Sequence, residues 1–245
     1  MTEINRFSFS SQEIDILTNF QVINPSLVFK GTKLETENES GSVSGFYNFD
    51  KDKEFGEFGI YLLQQFITIL KEMNDHALEV KPSEREVIIH DQLNKSKTSY
   101  RTTPVADSGM FKDIKYPKSF SSQPEVIDII FRADKIAQLR KIGDIIGFDC
   151  VYINTEINDI VRFIGADEDR QNTENAYEVE INEIDVKTNA LDETLVIKRP
   201  EFNMLLPGYD YRLIVAKSAK GNYMTNWSNV GINSLEYFIG IGKED

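Results

Sequence analysis

Residues 131–153, FRADKIAQLRKIGDIIGFDCVYI, constrain the fold more than any other stretch, because they read as an amphipathic helix running directly into an apolar strand. Wound at about 100° per residue, Ile136, Leu139, Ile142, Ile145 and Ile146 gather on one side, with Ala133, Ala137, Arg140, Lys141 and Asp144 on the other. Gly147 fits a C-cap, and Cys150, Val151, Tyr152 and Ile153 continue as a strand. The same succession occurs at 10–30, SSQEIDILTNFQVINPSLVFK. There Ser10 and Glu13 have capping-box spacing, and Ile16, Leu17, Phe20 and Ile23 share a face. Asn24 and Pro25 end the helix, and Leu27, Val28 and Phe29 form the strand.

A second pair repeats more weakly. An apolar helix and strand at 61–80 have a counterpart at 199–215, with a helix expected over 199–206, and both are followed by hairpin signals, at 81–89 and 216–224. Helix-then-strand successions also arise by chance in α+β chains, but two pairs in the same order favour a duplication. The expected fold class is therefore α+β with two similar domains. The boundaries read as an N-terminal domain at 1–104, a Pro-, Ser- and Lys-rich connector at 105–124 and a C-terminal domain at 125–245. The connector carries Phe111, Ile114, Tyr116 and Phe120, more apolar surface than a passive spacer needs, so it is expected to lie on a domain surface. Residues 176–186 alternate Tyr177, Val179 and Ile181 against Glu178, Glu180 and Asn182, as a half-exposed edge strand does.

Composition excludes several classes. Lys and Arg total 27 against 40 Asp and Glu, and the net charge of −13 argues against wholesale coating of nucleic acid or an anionic membrane. It leaves room for a local basic lining. The single cysteine, Cys150, sits in a core-like run and reads as a buried structural thiol. No stretch approaches the roughly 18 apolar residues of a membrane span, so a soluble cytoplasmic protein is expected. Phosphate-loop, dinucleotide, zinc-protease and paired-cysteine motifs are absent from the sequence. His76 falls at a turn and His90 at a strand end, and Asp167, Glu168 and Asp169 lack the alternation and glycine of a calcium loop. No catalytic residue, metal site or cofactor is expected.

The basic residues cluster instead. Arg132, Lys135, Arg140 and Lys141 lie on or at the start of the organising helix, and Lys198 and Arg199 begin the short helix of the same half. Such a set positions a duplex through its phosphates without reading sequence, although an ordinary charged helix face gives the same pattern.

With these residues placed on a two-domain duplication, the chain resembles the DNA polymerase sliding clamps of T-even bacteriophages. LTNFQVINPSLVFK at 17–30 is similar to the family's first helix and strand, and GIYLLQQFITILKEMND at 59–75 to its second helix. RADKIAQLRK matches the helix opening the second domain, and LLPGYDYRLIVAKSAKG at 205–221 matches a Pro-Gly-x-Tyr turn and strand. The resemblance implies a PCNA-like clamp fold. Three protomers would form a ring, antiparallel sheets outside, with two helices per domain facing a central hole that holds duplex DNA. It also implies a processivity role in DNA replication without catalysis, with a replicative polymerase, a clamp loader and further copies of the chain as partners, in the host cytoplasm if viral. Arg132 and Lys141 match basic positions of the family, while Lys135, Arg140, Lys198, Arg199 and Lys71 are candidates from helical position. Asp144 stands where the family pattern has a basic residue, and the first-domain helices add little beyond Lys71 and Arg6. Ile114, Tyr116, Pro117 and Phe120 of the connector, with Tyr237, Phe238 and Ile239, correspond to a pocket for partner peptides. Tyr177, Val179 and Ile181 are candidates for the subunit interface. Two other readings remain open: a monomeric or dimeric clamp-fold factor gripping DNA by charge, and a β-rich assembly protein that never touches DNA.

Overall fold

The computed structural model describes residues 6–73, 75–81, 85–105, 111, 114–157, 160–168, 176–181, 187–188 and 193–243. The Arg6 side chain, Asn74, Asp169 and the expected strand beyond Ile181 lie outside the described residues. The chain divides into two units, residues 1–39 with 44–115 and residues 40–43 with 116–245.

In unit 1, β1 (Arg6–Phe7) leads into α1 (Ser11–Ile23), where the expected capping box forms: Ser10 Oγ accepts the Glu13 N–H and Glu13 accepts the Ser10 N–H. Ile16, Leu17, Phe20 and Ile23 are buried along one face. Asn24 closes the helix, its amide donating to the Glu37 carbonyl and its side-chain oxygen accepting the Ser26 N–H. Then follow β2 (Leu27–Lys30), β3 (Lys33–Glu37), β4 (Val43–Asn48) and β5 (Glu57–Ile60). α2 (Leu63–Glu72) starts later and stops earlier than its apolar pattern suggests. It has no side-chain cap, and the Leu63 N–H is taken by the Pro25 carbonyl at the end of α1. β6 (His76–Lys81), β7 (Glu86–Asp91) and β8 (Ser96–Arg101) complete the unit. Phe9, Phe29, Phe49, Phe55 and Phe58 pack ring on ring in its core.

Unit 2 opens with β9 (Glu125–Phe131) and α3 (Ala133–Ile146), which ends at Gly147 with φ 83°, the left-handed C-cap expected from the sequence. Next come β10 (Cys150–Ile157), β11 (Ile160–Ala166), β12 (Tyr177–Ile181), β13 (Lys187–Thr188) and β14 (Leu195–Lys198). α4 spans only Arg199–Phe202, shorter than the expected 199–206: tight turns at Met204 and Leu205 end it, and Pro207 lacks the N–H a continuing helix needs. β15 (Tyr211–Lys217), β16 (Tyr223–Asn229), β17 (Leu235–Gly240) and β18 (Gly242–Lys243) follow. The core gathers Phe131, Phe163, Phe202 and Trp227.

The two units share one wiring diagram. In unit 1, β1 pairs with β6, β6 with β7 and β7 with β8, while β4, β3, β2 and β5 pair in that order, all antiparallel. In unit 2, β9–β15–β16–β17 repeats the first set and β12–β11–β10–β14 the second, with β13 and β18 added at edges. Each unit places a helix after its first and fifth strands of the shared set. The duplication expected from the repeated helix and strand is thus present at the level of topology.

The buried face of α3 differs from expectation. Ile136, Leu139 and Gly143 are its buried residues, whereas Ile145 is 68 % exposed. Gly143 sets this: a Cβ there would come within 2.8 Å of the Phe148 ring and 2.7 Å of Arg199 Nε, so the helix packs closest where its side chain is missing. Ile145 lies about half a turn round from Ile136 and faces away.

Candidate nucleic-acid and partner-binding site

The six basic candidates of unit 2 separate into two groups. Lys141 and Lys198 are exposed, Lys135 is half-buried, and Arg132 is half-exposed with Nη1 2.9 Å from Asp210 Oδ2. Arg140 and Arg199 turn inward instead. Arg140 Nη2 donates to the Phe202 and Leu205 carbonyls, 2.9 Å each, and its guanidinium lies 5.5 Å from the centre of the Phe202 ring. Burial pulls its pKa below the ordinary arginine value. This side chain ties α3 to two carbonyls at the end of α4, a helix-closing role rather than a place on an exposed basic face. Arg199 stacks 5.6 Å from the Phe148 ring centre, donates to the Phe148 carbonyl and pairs with Asp144. Asp144, four residues before Phe148, therefore has Arg199 as its structural partner.

Unit 1 carries little positive charge on its helices. Lys71 is exposed in the last turn of α2, where it also complements the helix dipole. The other exposed residues of α1 and α2 are Ser11, Gln12, Asp15, Val22, Gln64, Gln65, Thr68 and Glu72, none of them basic. Lys71 and Asp15 border an open polar cleft with Ser8, Asp75 and His76. His76 is not in a turn: it begins β6, is buried, and its Nε2 accepts the Phe9 N–H at 3.1 Å, which requires the neutral ring. His90 lies 3.1 Å from Glu79. Among the described residues no cluster of three potential metal ligands occurs.

The residues assigned to a partner pocket do not form one surface. Tyr116 and Phe120 both pack edge-on against Phe238, each with ring centres 5.4 Å apart, and Tyr116 donates to Glu236 Oε2 at 2.7 Å. Burial and this carboxylate push the Tyr116 hydroxyl up to about 12, so it stays a donor. Pro117 accepts the Phe120 N–H in the turn between them. Tyr237 and Ile239 flank Phe238 on β17 and are fully buried, because strand alternation sends them to the opposite face, into the core. Ile114 belongs to unit 1, where it lines a cavity with Phe111. Of the candidate set Tyr116 is exposed and Pro117 half-buried, while Phe120 and Phe238 are buried. Glu236 joins them, and only its placement two residues before Phe238 on an alternating strand hinted at this.

On β12, Val179 and Ile181 are buried and Tyr177 is half-buried, while Glu178 and Glu180 face out, each near Arg162 of β11, at 3.3 and 3.2 Å. Among the described residues β12 pairs only with β11, and β8 pairs only with β7. β8 presents Lys97 and Arg101 outward. Unit 1 thus ends its first strand set in a basic edge strand, β8, and unit 2 ends its second strand set in an acidic one, β12.

Asp210 was invisible as a functional partner in the sequence. Its Oδ1 accepts the Ala133 N–H at 2.7 Å, capping α3 from 77 residues away. That hydrogen bond, with the Arg132 ion pair, holds its carboxyl below the usual aspartate value.

No protein-family model matches the sequence, and no curated protein matches it. Solved structures do. Proliferating cellular nuclear antigen from Entamoeba histolytica superposes with a TM-score of 0.69 at 11 % identity, covering 97 % of this chain and 98 % of that one. The antigen from Thermococcus kodakaraensis gives 0.67 at 11 % identity over 97 % and 98 % of the two chains. A chain of the PCNA2–PCNA3 complex of Sulfolobus tokodaii gives 0.65 at 10 % identity over 96 % and 98 %. Over nearly its whole length, with two copies of one wiring diagram and two helices in each, the chain has the PCNA-type sliding-clamp fold.

Proposed function

We propose that this protein is a DNA sliding clamp, similar to those of T-even bacteriophages, that encircles duplex DNA as a homotrimeric ring and tethers the replicative polymerase without catalysing a reaction. The observation that carries this reading is the duplicated clamp topology across the chain. A clamp loader places the ring on DNA in the cytoplasm of the host. Arg132, Lys135, Lys141, Lys198 and Lys71 meet the phosphates. A ring needs only weak adhesion, because its hold is topological, and the acidic remainder keeps DNA from adhering elsewhere. Tyr116 and Pro117, backed by the buried Phe120 and Phe238, receive an apolar partner peptide.

Ring closure is supported by the two edge strands. Pairing β8 of one protomer with β12 of the next would set Lys97 and Arg101 beside Glu178 and Glu180, favourable cross-strand neighbours. The test is native mass by light scattering: about three times 28.1 kDa for the wild type. Glu178→Lys with Glu180→Lys should yield monomers, and adding Lys97→Glu with Arg101→Glu should restore the trimer. A wild type that stays monomeric at high concentration would favour a clamp-fold factor that grips DNA by charge alone.

A further inference from the structure

We infer that His76 and the Phe9 N–H form an acid-sensitive latch on unit 1, in which a proton on the His76 ring removes the acceptor holding Phe9 and lets β1, with the two residues after it, leave the sheet. The latch lies within unit 1 and does not depend on ring formation.

The hydrogen bond sets the chemistry. His76 Nε2 accepts the Phe9 N–H at 3.1 Å, and both residues are buried. A protonated ring carries a donor on each nitrogen, so the contact would become two N–H groups facing each other with no acceptor between them. Which partner moves follows from what else holds it. His76 starts β6, whose six residues all pair with β7, His76 itself lying opposite Asp91. Phe9 lies outside any strand, and among the described residues β1 before it adds two pairs, Arg6 with Glu79 and Phe7 with Leu78. Ser10 after it is fixed by the capping box of α1. The weaker side is therefore residues 6–9, hinged at Ser10. Ring contacts seat this segment: Phe7 lies 4.9 Å from Phe55 between centres, and Phe9 lies 5.7 Å from Phe49 and 5.6 Å from Phe55.

The surroundings supply the proton and set the balance. His76 lines the open cleft of about 550 Å³ that Ser8, Asp15, Lys71 and Asp75 also border, which gives water a path to the ring. Asp75, with a left-handed φ of 46° just before β6, favours the charged ring, and Lys53 opposes it, although Glu13 holds the Lys53 ammonium at 2.7 Å. Asp91, opposite His76, accepts from the backbone and side-chain amides of Asn94. Burial outweighs the attraction of Asp75 and keeps the ring's pKa below the usual 6.5. His90 responds in the opposite sense: its Nε2 lies 3.1 Å from Glu79, so a charge there strengthens an ion pair.

Hydrogen–deuterium exchange by mass spectrometry on the whole protein tests the latch, with rates corrected for the intrinsic effect of pH. Protection of a peptide covering residues 7–10 should fall severalfold between pH 7.5 and 5.5, toward the roughly tenfold limit set by one histidine that titrates normally once released. Peptides of β9 and β16 should keep their protection, which separates local release from unfolding of the whole chain. His76→Gln offers an amide oxygen to the same N–H and carries no titratable proton, so its protection should hold across the range, while His90→Gln should behave as the wild type. The chain has two histidines, so His90→Gln assigns the effect even where His76→Gln does not fold. Constant protection in the wild type, a loss shared equally with β9 and β16, a loss that persists in His76→Gln, or one that vanishes in His90→Gln would each overturn the latch.

Discussion

Arg140 and Lys141 are neighbours in sequence and have opposite roles. The Arg140 guanidinium holds two carbonyls at the end of α4 over an aromatic ring, so Arg140→Ala takes a donor from both, leaving the Phe202 oxygen the longer Leu205 N–H contact, and opens a gap. We expect a loss of about 3 kcal/mol in chemical denaturation. Lys141→Ala, at an exposed position, should change stability by no more than about 0.5 kcal/mol while weakening DNA contact. A wheel drawn at about 100° per residue sets Arg140 close to the buried Ile136 direction, but nothing local reveals that its partners lie more than sixty residues on. His76 makes a second residue-scale prediction. Burial holds its folded pKa below the usual 6.5, with Lys53 adding to this and Asp75 opposing it. The unfolded chain then binds more protons as pH falls through the ordinary histidine range, so that stability is present above it and declines below it. The melting temperature should therefore drop between pH 7.5 and 5.5, and His76→Gln should flatten that part of the profile. A wild-type slope unchanged by the substitution would remove His76 as its source.

At the scale of elements, the ends of helices were legible where the signal is local and hidden where it is not. Ser10 with Glu13 and Gly147 are short-range caps, and both form as the sequence suggests. The start of α3 has no cap of its own, because Arg132 occupies the N-cap position, and Asp210 supplies the missing acceptor from the turn before β15. Asp210→Ala should cost about 1 kcal/mol, and Asp210→Asn less, because the amide oxygen still accepts the Ala133 N–H. The folded carboxyl is held low, so this contribution is full above the unfolded aspartate value and fades as pH falls through the lower folded one. Urea titrations at pH 7 and pH 3 separate the two variants. The buried stripe of α3 was misread for a related reason: isoleucines at 142, 145 and 146 span too wide an arc to choose a face, and the deciding residue, Gly143, has no hydrophobic signal at all. Likewise strand alternation on β17 should have warned that Tyr237 and Ile239 cannot share a surface with Phe238.

For the whole molecule, the sparse positive charge on the helices bears on which of two ways the proposed clamp would hold DNA. Lys71 is the exposed cation of α1 and α2, and in unit 2 Arg140 and Arg199 are withdrawn from the exposed set. A protein gripping by charge through about six phosphate contacts loses roughly a thousandfold or more in affinity between 50 and 200 mM salt. A closed ring on circular DNA leaves only by opening, and opening is governed by contacts between protomers. We therefore expect the lifetime of the loaded protein on nicked circular DNA to change by less than about threefold across that salt range. After linearisation it should fall sharply at every salt concentration, because the ends are exits. Lys141→Glu should speed sliding and loss from linear DNA while leaving the lifetime on the circle nearly unchanged. If instead the circular and linear lifetimes fall together and steeply with salt, the hold is electrostatic, and the duplicated fold serves a protein that grips the duplex without enclosing it.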